Sequence, residues 1–251
     1  MSTSTSWEKS GSWYTKSVGE KGNYYHQHLV IPNSLRLLNL QNNSSLLDLA
    51  CGQGVLARAL PKSVGYLGLD LSPSLIKEAQ RLSRHQFKVA DVSKPLPSPP
   101  QKFSHAAIIL ALQNLEHPET ALKNASDYLI PGGKLLIVLN HPCFRIPRQS
   151  SWGIDPQNKL EYRRVNRYLS PLKIPVTTNP GIPNSPVTWS FHYSLSSYFQ
   201  FLKNSGFVIT DLEEWASDKA SVGRAARMEN RARSEFPLFI ALLAQKSRPV
   251  I

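Results

Sequence analysis

Apolar residues along this chain come in short runs, each closed by glycine, proline or a polar cap, and their spacing alternates between strand and helix. Ser45 to Leu49 forms a strand-length run that leads into a glycine turn and then the helix-like VLARAL. A strand follows at Val64 to Leu69, after which Ser72 and Pro73 supply the cap and first helical residue before SLIKEAQRL. The pattern continues with strands at Phe87 to Ala90 and Phe103 to Leu110, a helix from Pro118 to Leu129, and a strand at Lys134 to Leu139. Strands alternating with helices imply a mostly parallel sheet covered on both faces. Further on, a helix at Leu195 to Lys203 meets the stop signals Asn204 and Gly206, and the strand FVITDLEEW follows. FPLFIALLAQK is the last strand; no helix-length apolar pattern separates these two, so they are expected to pair antiparallel at one end of the sheet.

Two segments break the rhythm. Residues 141–190 carry Pro142, Pro147, Pro156, Pro171, Pro175, Pro180, Pro183 and Pro186 together with Trp152, Tyr162, Tyr168 and Trp189. Disordered linkers are poor in aromatics, so this stretch reads as an ordered lid over the sheet edge. Near the N-terminus, Trp7, Trp13, Tyr14, Tyr24 and Tyr25 read as one or two helices capping a cleft. The expected organisation is an N-terminal helical cap, 1–43, and an α/β domain, 44–251, with the lid inserted at about 141–190.

Composition narrows the class. The 251 residues are 41% hydrophobic, enough for one sizeable core. No stretch approaches the roughly 18 to 20 apolar residues of a membrane-spanning helix, the N-terminus is polar, and only Cys51 and Cys143 are present, so a soluble protein of the reducing cytoplasm is expected. Lysine and arginine number 29 against 17 aspartates and glutamates, a formal charge of +12. Arg145, Arg148, Arg163, Arg164 and Arg167 crowd one stretch, and Lys219, Arg224, Arg227, Arg231 and Arg233 another. These clusters read either as a solvated basic surface or as contacts for RNA or an anionic substrate.

The candidate chemistry centres on LLDLACGQGVLARAL, an apolar strand running into Gly52 and Gly54 and then a helix. Glycines there let the backbone turn tightly and approach a ligand. Asp70 closes the next strand at the interval where an acid meets the ribose hydroxyls of a bound nucleotide. Gly52, Gly54 and Ala57 match the dinucleotide pattern G-x-G-x-x-A, which keeps a nicotinamide-dependent oxidoreductase open. Asp48 argues otherwise: a carboxylate four residues before Gly52 is awkward beside a pyrophosphate and suited to the ammonium of a methionine moiety. Asp91, ending the third strand, suits an adenine amino group, with Val92 against the ring. Each acid taken singly also reads as a helix cap or turn residue.

D-x-A-x-G-x-G at Asp48 to Gly54, GLDLS at Gly68 to Ser72, ADV at Ala90 to Val92 and PGGKLLIVLN at Pro131 to Asn140 together resemble the class I S-adenosylmethionine-dependent methyltransferases. YYH near the N-terminus and the HPCF and YRR-x-x-R-Y-L segments are similar to small-molecule and quinone-type members. The resemblance implies a Rossmann-like seven-stranded, mostly parallel sheet with an antiparallel last strand. It also implies S-adenosylmethionine as cofactor and S-adenosylhomocysteine as product, with Asp48, Gly52 and Gly54 around the methionine part, Asp70 on the ribose and Asp91 at the adenine, and Ala50, Leu71 and Val92 completing that set. Gln113 and Asn114, which follow the fourth strand, are expected near the transferred methyl, Asn114 reading equally as a cap of the next helix. Ala50 stands where many members carry glycine, a change expected to be tolerated.

Methyl transfer needs the acceptor positioned and, for oxygen or nitrogen, a proton removed. His141, just past the fifth strand, is the candidate base, or else a cap of the turn before Pro142. Tyr24, Tyr25 and His26 either close over the cofactor or belong to the core. Arg145, Trp152, Tyr162, Trp189 and His192 are the candidate acceptor contacts, suited to a flat aromatic or polyketide-like molecule methylated on oxygen or carbon. No metal site is expected, because His141 and Cys143 lack further ligands. An RNA methyltransferase using the basic clusters and a catalytically silent nucleotide-binding protein stand as alternatives, and the oligomeric state is not legible.

Overall fold

The structure, a computed structural model, describes residues 7–178, 181 and 184–248; Met1 to Ser6, Pro180 and Pro183 lie outside the described residues. Seven strands form one sheet: β1 (Ser45–Leu49), β2 (Gly65–Asp70), β3 (Gln86–Val89), β4 (Phe103–Ile109), β5 (Leu129–Asn140), β10 (Phe207–Trp215) and β11 (Phe239–Lys246). Their order is β10-β11-β5-β4-β1-β2-β3. β1 lies parallel to both β2 and β4, and β4 parallel to β5. β11 runs antiparallel between β5 and β10, so the expected Rossmann-like sheet with an antiparallel last strand is the observed one.

Both faces are covered, as continuous apolar strands such as SLLDL and FIALLAQK require. On one face Leu47, Leu49, Ile108 and Ile137 pack with helices α5 (Pro118–Tyr128) and α6 (Leu195–Asn204) through residues including Leu122, Ala125 and Leu202. On the other, Leu46, Ala107, Leu136 and Val138 meet α2 (Ile31–Leu38), the single turn α3 (Val55–Arg58) and α4 (Pro73–Leu82). α4 starts as its sequence dictates, with Pro73 at the first helical position and the Ser72 hydroxyl accepting from the backbone N–H of Leu75. Ahead of α2 come α1 (Gly11–Val18) and a π-helical turn, His26–Val30.

Two departures have physical causes. The connection between β10 and β11 contains a helix, α7 (Ala226–Glu235), that the apolar pattern misses because ARMENRARSE is polar nearly all round and buries only Ala232. The stretch after β5 is built from two antiparallel hairpins, β6 (Ser150–Asp155) with β7 (Leu160–Val165) and β8 (Leu172–Thr177) with β9 (Val187–His192). No helix among the described residues is long and apolar enough to cross a membrane.

Candidate functional site

The carboxyl ends of β1, β2, β3 and β4 open on one cavity of roughly 340 Å³, a size that takes a small ligand. Asp48, Ala50, Gly52, Asp70, Leu71, Asp91, Val92, Gln113 and Asn114 all line it, so nine residues singled out from the sequence converge there. Gly54, the tenth residue of that expected set, does not line the cavity. It has φ 73°, and a Cβ there would meet the Phe87 ring at 2.8 Å, so the glycine serves the turn and its packing.

Asp48 is buried among apolar strand residues and accepts a hydrogen bond from the Tyr66 hydroxyl at 2.7 Å. Burial pushes its carboxyl up to about 7; the Tyr66 bond opposes the rise and nearby Asp70 adds to it. Asp70 accepts from the backbone N–H groups of Gly52, at 2.8 Å, and Ser72, at 2.9 Å. Burial raises the Asp70 carboxyl, and those bonds hold the rise back. At Asp91 burial also acts upward, but hydrogen bonds from Ser93 and the Lys94 ammonium at 3.3 Å outweigh it and hold the carboxyl below its usual range. The Gln113 amide donates to the Leu110 carbonyl, while its Oε1 is buried without a partner among the described residues. Two non-glycine residues of the cavity wall, Ala50 at φ 58° and Leu110 at φ 54°, sit in the left-handed region. Such strain concentrates where a wall must turn toward a ligand.

The acceptor-side expectations fare differently. Trp189 lines the cavity from β9, beside Thr188 and Ser190. His141 does not: it is fully buried, its Nδ1 accepts from the backbone N–H of Cys143 at 3.2 Å, and its Nε2 donates to Glu214 at 2.6 Å. Both ring nitrogens are engaged away from the cavity, and side chains alternate along a strand, so Asn140 faces the site while His141 faces elsewhere. Burial lowers the His141 imidazole and Glu214 opposes that shift. Arg145 lies over the Phe239 ring at 5.5 Å. Trp152 packs edge-on against Phe236 with Arg163 above it, and Tyr162 lies against Gly153 on the outer hairpin, half exposed. His192 donates to the Tyr168 carbonyl at 2.6 Å. None of these four reaches the cavity.

From the N-terminal segment, Trp7 and Tyr14, read from sequence as part of a helical cap over the cleft, and His26, read as closing over the cofactor or belonging to the core, line the cavity; Ile31, which sequence reasoning missed, lines it with them. Tyr14 stands 3.8 Å from where a Gly52 side chain would begin, and burial with nearby Asp70 pushes its phenol up to about 12, so it stays neutral. Tyr24 is exposed and bonded to Asp218, whereas Tyr25 is half-buried, bonded to Ser217 and packed edge-on against Phe239. Of the first basic cluster, Arg163 is tied to the Phe144 carbonyl and the Ser150 hydroxyl, and Arg164 to Asn166. Those groups are occupied by the chain itself.

Residues 47–137 match the family model described as a methyltransferase domain. The ubiquinone/menaquinone biosynthesis C-methyltransferase UbiE of Bordetella avium is 34% identical over 109 residues, covering 40% of this chain and 42% of that protein. A ubiquinone biosynthesis O-methyltransferase of Coxiella burnetii is 30% identical over 117 residues, 43% of this chain and 50% of its own length. The matched stretch thus spans half or less of these curated relatives. A solved S-adenosylmethionine-dependent methyltransferase from Mesorhizobium loti shares the fold, with TM-score 0.68 at 24% identity over 87% of this chain and 99% of that one.

Proposed function

We propose that this chain, whose residues 47–137 match the methyltransferase-domain family model, transfers a methyl group from S-adenosylmethionine to a small-molecule acceptor. The convergence of Asp48, Asp70 and Asp91 on one cavity carries this reading. The donor set fits the cofactor: Asp48 would pair with its ammonium, Asp70 with the ribose hydroxyls, and Asp91 with the adenine amino group over Val92. The unpartnered Gln113 Oε1 awaits a donor in the same wall. A dinucleotide fits worse, because a buried carboxylate at Asp48 would oppose a pyrophosphate. Bound there, S-adenosylmethionine supplies an electrophilic methyl on a positively charged sulfur. The protein's part is to hold the acceptor in line, between the N-terminal wall of Tyr14, His26 and Ile31 and the hairpin wall of Val176, Thr188 and Trp189, and to exclude water. The quinone-pathway enzymes among the relatives favour an aromatic acceptor methylated on oxygen or carbon.

Calorimetry with S-adenosylhomocysteine and with NAD tests the reading. Saturable binding of the first and none of the second is expected. Tight NAD binding without S-adenosylhomocysteine binding would sink it.

A further inference from the structure

The acids of the cavity are accounted for by the cofactor, and His141 is turned away, so the acceptor side lacks an ordinary base. His26 is the remaining imidazole of the cavity wall. It is only 8% exposed, and its Nδ1 is buried without a hydrogen-bond partner among the described residues. Its placement is specific. It opens the π-helical turn, a geometry that recurs at functional sites, with its backbone N–H held by the Asn23 side chain at 3.1 Å. Gly22, at φ 89°, lets it close on the glycine turn: a Cβ there would lie 2.5 Å from the His26 Cβ and 3.0 Å from Val55, the first residue of α3.

A second unpaired group sits on α3. Arg58 donates through Nη1 to the Gln53 carbonyl, but its Nε and Nη2 are buried with no partner, and no carboxylate lies within ion-pair distance of it among the described residues. Its charge acts on His26, adding to burial in pushing that imidazole down to about 4. His26 is therefore neutral at ordinary pH, carries one N–H, and is a poor proton acceptor. With Nδ1 buried and unpartnered among the described residues, Nε2 is the ring nitrogen left to carry the N–H at the cavity wall.

Resting on the methyltransferase reading, we propose that the acceptor reacts as an oxyanion, a phenolate or enolate, whose oxygen is held by the His26 N–H at the cavity wall. The proton of the phenol or enol is given up to solvent before binding. The anion's oxygen, or its conjugated carbon, then supplies the electron pair that bonds the methyl, and the carbon–sulfur pair returns to sulfur. The negative charge of the acceptor and the positive charge of the sulfonium cancel, so O-methylation requires no base in the site. C-methylation of a phenolate gives a neutral dienone, which gives its ring proton to water; the C–H electron pair restores the aromatic system and the oxygen is again an oxyanion, whereas an enolate methylated on carbon ends as the neutral ketone.

The test uses the whole chain saturated with S-adenosylhomocysteine and titrated with 4-nitrophenol, whose yellow anion is read directly by absorbance. The expected result is binding with a rise in the anion's absorbance at a pH near the probe's own midpoint. His26→Ala should weaken anion binding about ten- to hundredfold, the value of a hydrogen bond to a charged group, while S-adenosylhomocysteine affinity stays unchanged. His26→Asn, which keeps an N–H, should retain part of the effect and serves if the alanine variant does not fold. Binding of the neutral phenol, equal binding by wild type and the His26 variants, or no binding by the loaded wild type would overturn the proposal. Failure of S-adenosylhomocysteine itself to bind is a separate result, which overturns the methyltransferase reading.

Discussion

At the scale of single residues, the cavity wall stores strain and charge in known places. Ala50 holds φ 58° where a Cβ is disfavoured by about 1 to 2 kcal/mol, so the substitution is tolerated at a cost. Ala50→Gly relieves that cost against roughly 0.4 to 1 kcal/mol of added unfolded-chain freedom. A net stabilisation of about 0.5 to 1 kcal/mol is expected in urea unfolding, and a loss would show that Ala50 packing outweighs the strain. Asp48 offers a pH signature. Burial pushes its folded carboxyl up to about 7 from the ordinary 3.8, so between those values the folded state binds more protons than the unfolded one. Stability of the ligand-free protein therefore falls as pH rises through that window. Cofactor binding runs oppositely, because the ammonium needs the ionised carboxylate. S-adenosylhomocysteine affinity should fall as pH drops below 7, with proton release seen when calorimetry is repeated in buffers of different ionisation enthalpy; Asp48→Asn should abolish that release.

Elements are joined across the site by side chains outside the cavity. His141 extends from the end of β5 over β11 to Glu214 on β10, and its ring lies 4.8 Å from that of Phe144. His141→Ala should destabilise the fold by about 2 to 3 kcal/mol from the lost bond and the cavity left behind. Turnover per folded molecule should stay near wild type; a large loss in fully folded variant would restore a catalytic role. On the opposite side, Glu8 accepts from the Ser72 hydroxyl and from the Ser74 backbone and hydroxyl, fastening the segment that carries Trp7 to the start of α4. Those bonds hold the Glu8 carboxyl below its usual range. Glu8→Ala should speed S-adenosylhomocysteine release several-fold in stopped-flow measurements, with little change in association. An unchanged release rate would mean that Trp7 is held by other contacts.

The whole molecule places a cavity between parts of the chain far apart in sequence: the N-terminal helices, the strand ends and the β8–β9 hairpin. A ligand bound to all three stabilises them together. With S-adenosylhomocysteine at 100 times its dissociation constant, a gain of about 2.7 kcal/mol is expected, read as a rise in Tm that grows with ligand concentration. A Tm that ignores the ligand would place binding outside the folded cavity.

The sequence by itself determined the alternation that builds the sheet and the acids that end its strands. Both are local: an apolar run such as SLLDL needs burial on two faces, and an acid at its end has one place to go, the carboxyl edge. It also marked the glycine turn, although only packing against Phe87 showed that Gly54 serves the turn and Gly52 the cavity. α7 left no signal because a nearly polar helix has no apolar stripe. The roles of the histidines were decided by the tertiary structure alone. His141 and Asn140 are neighbours in sequence, and one residue of strand phase sends the first to Glu214, 73 positions away, and the second to the site. His26 enters the same wall from a helical segment whose approach depends on Gly22 and on α3, contacts between segments that no local periodicity records.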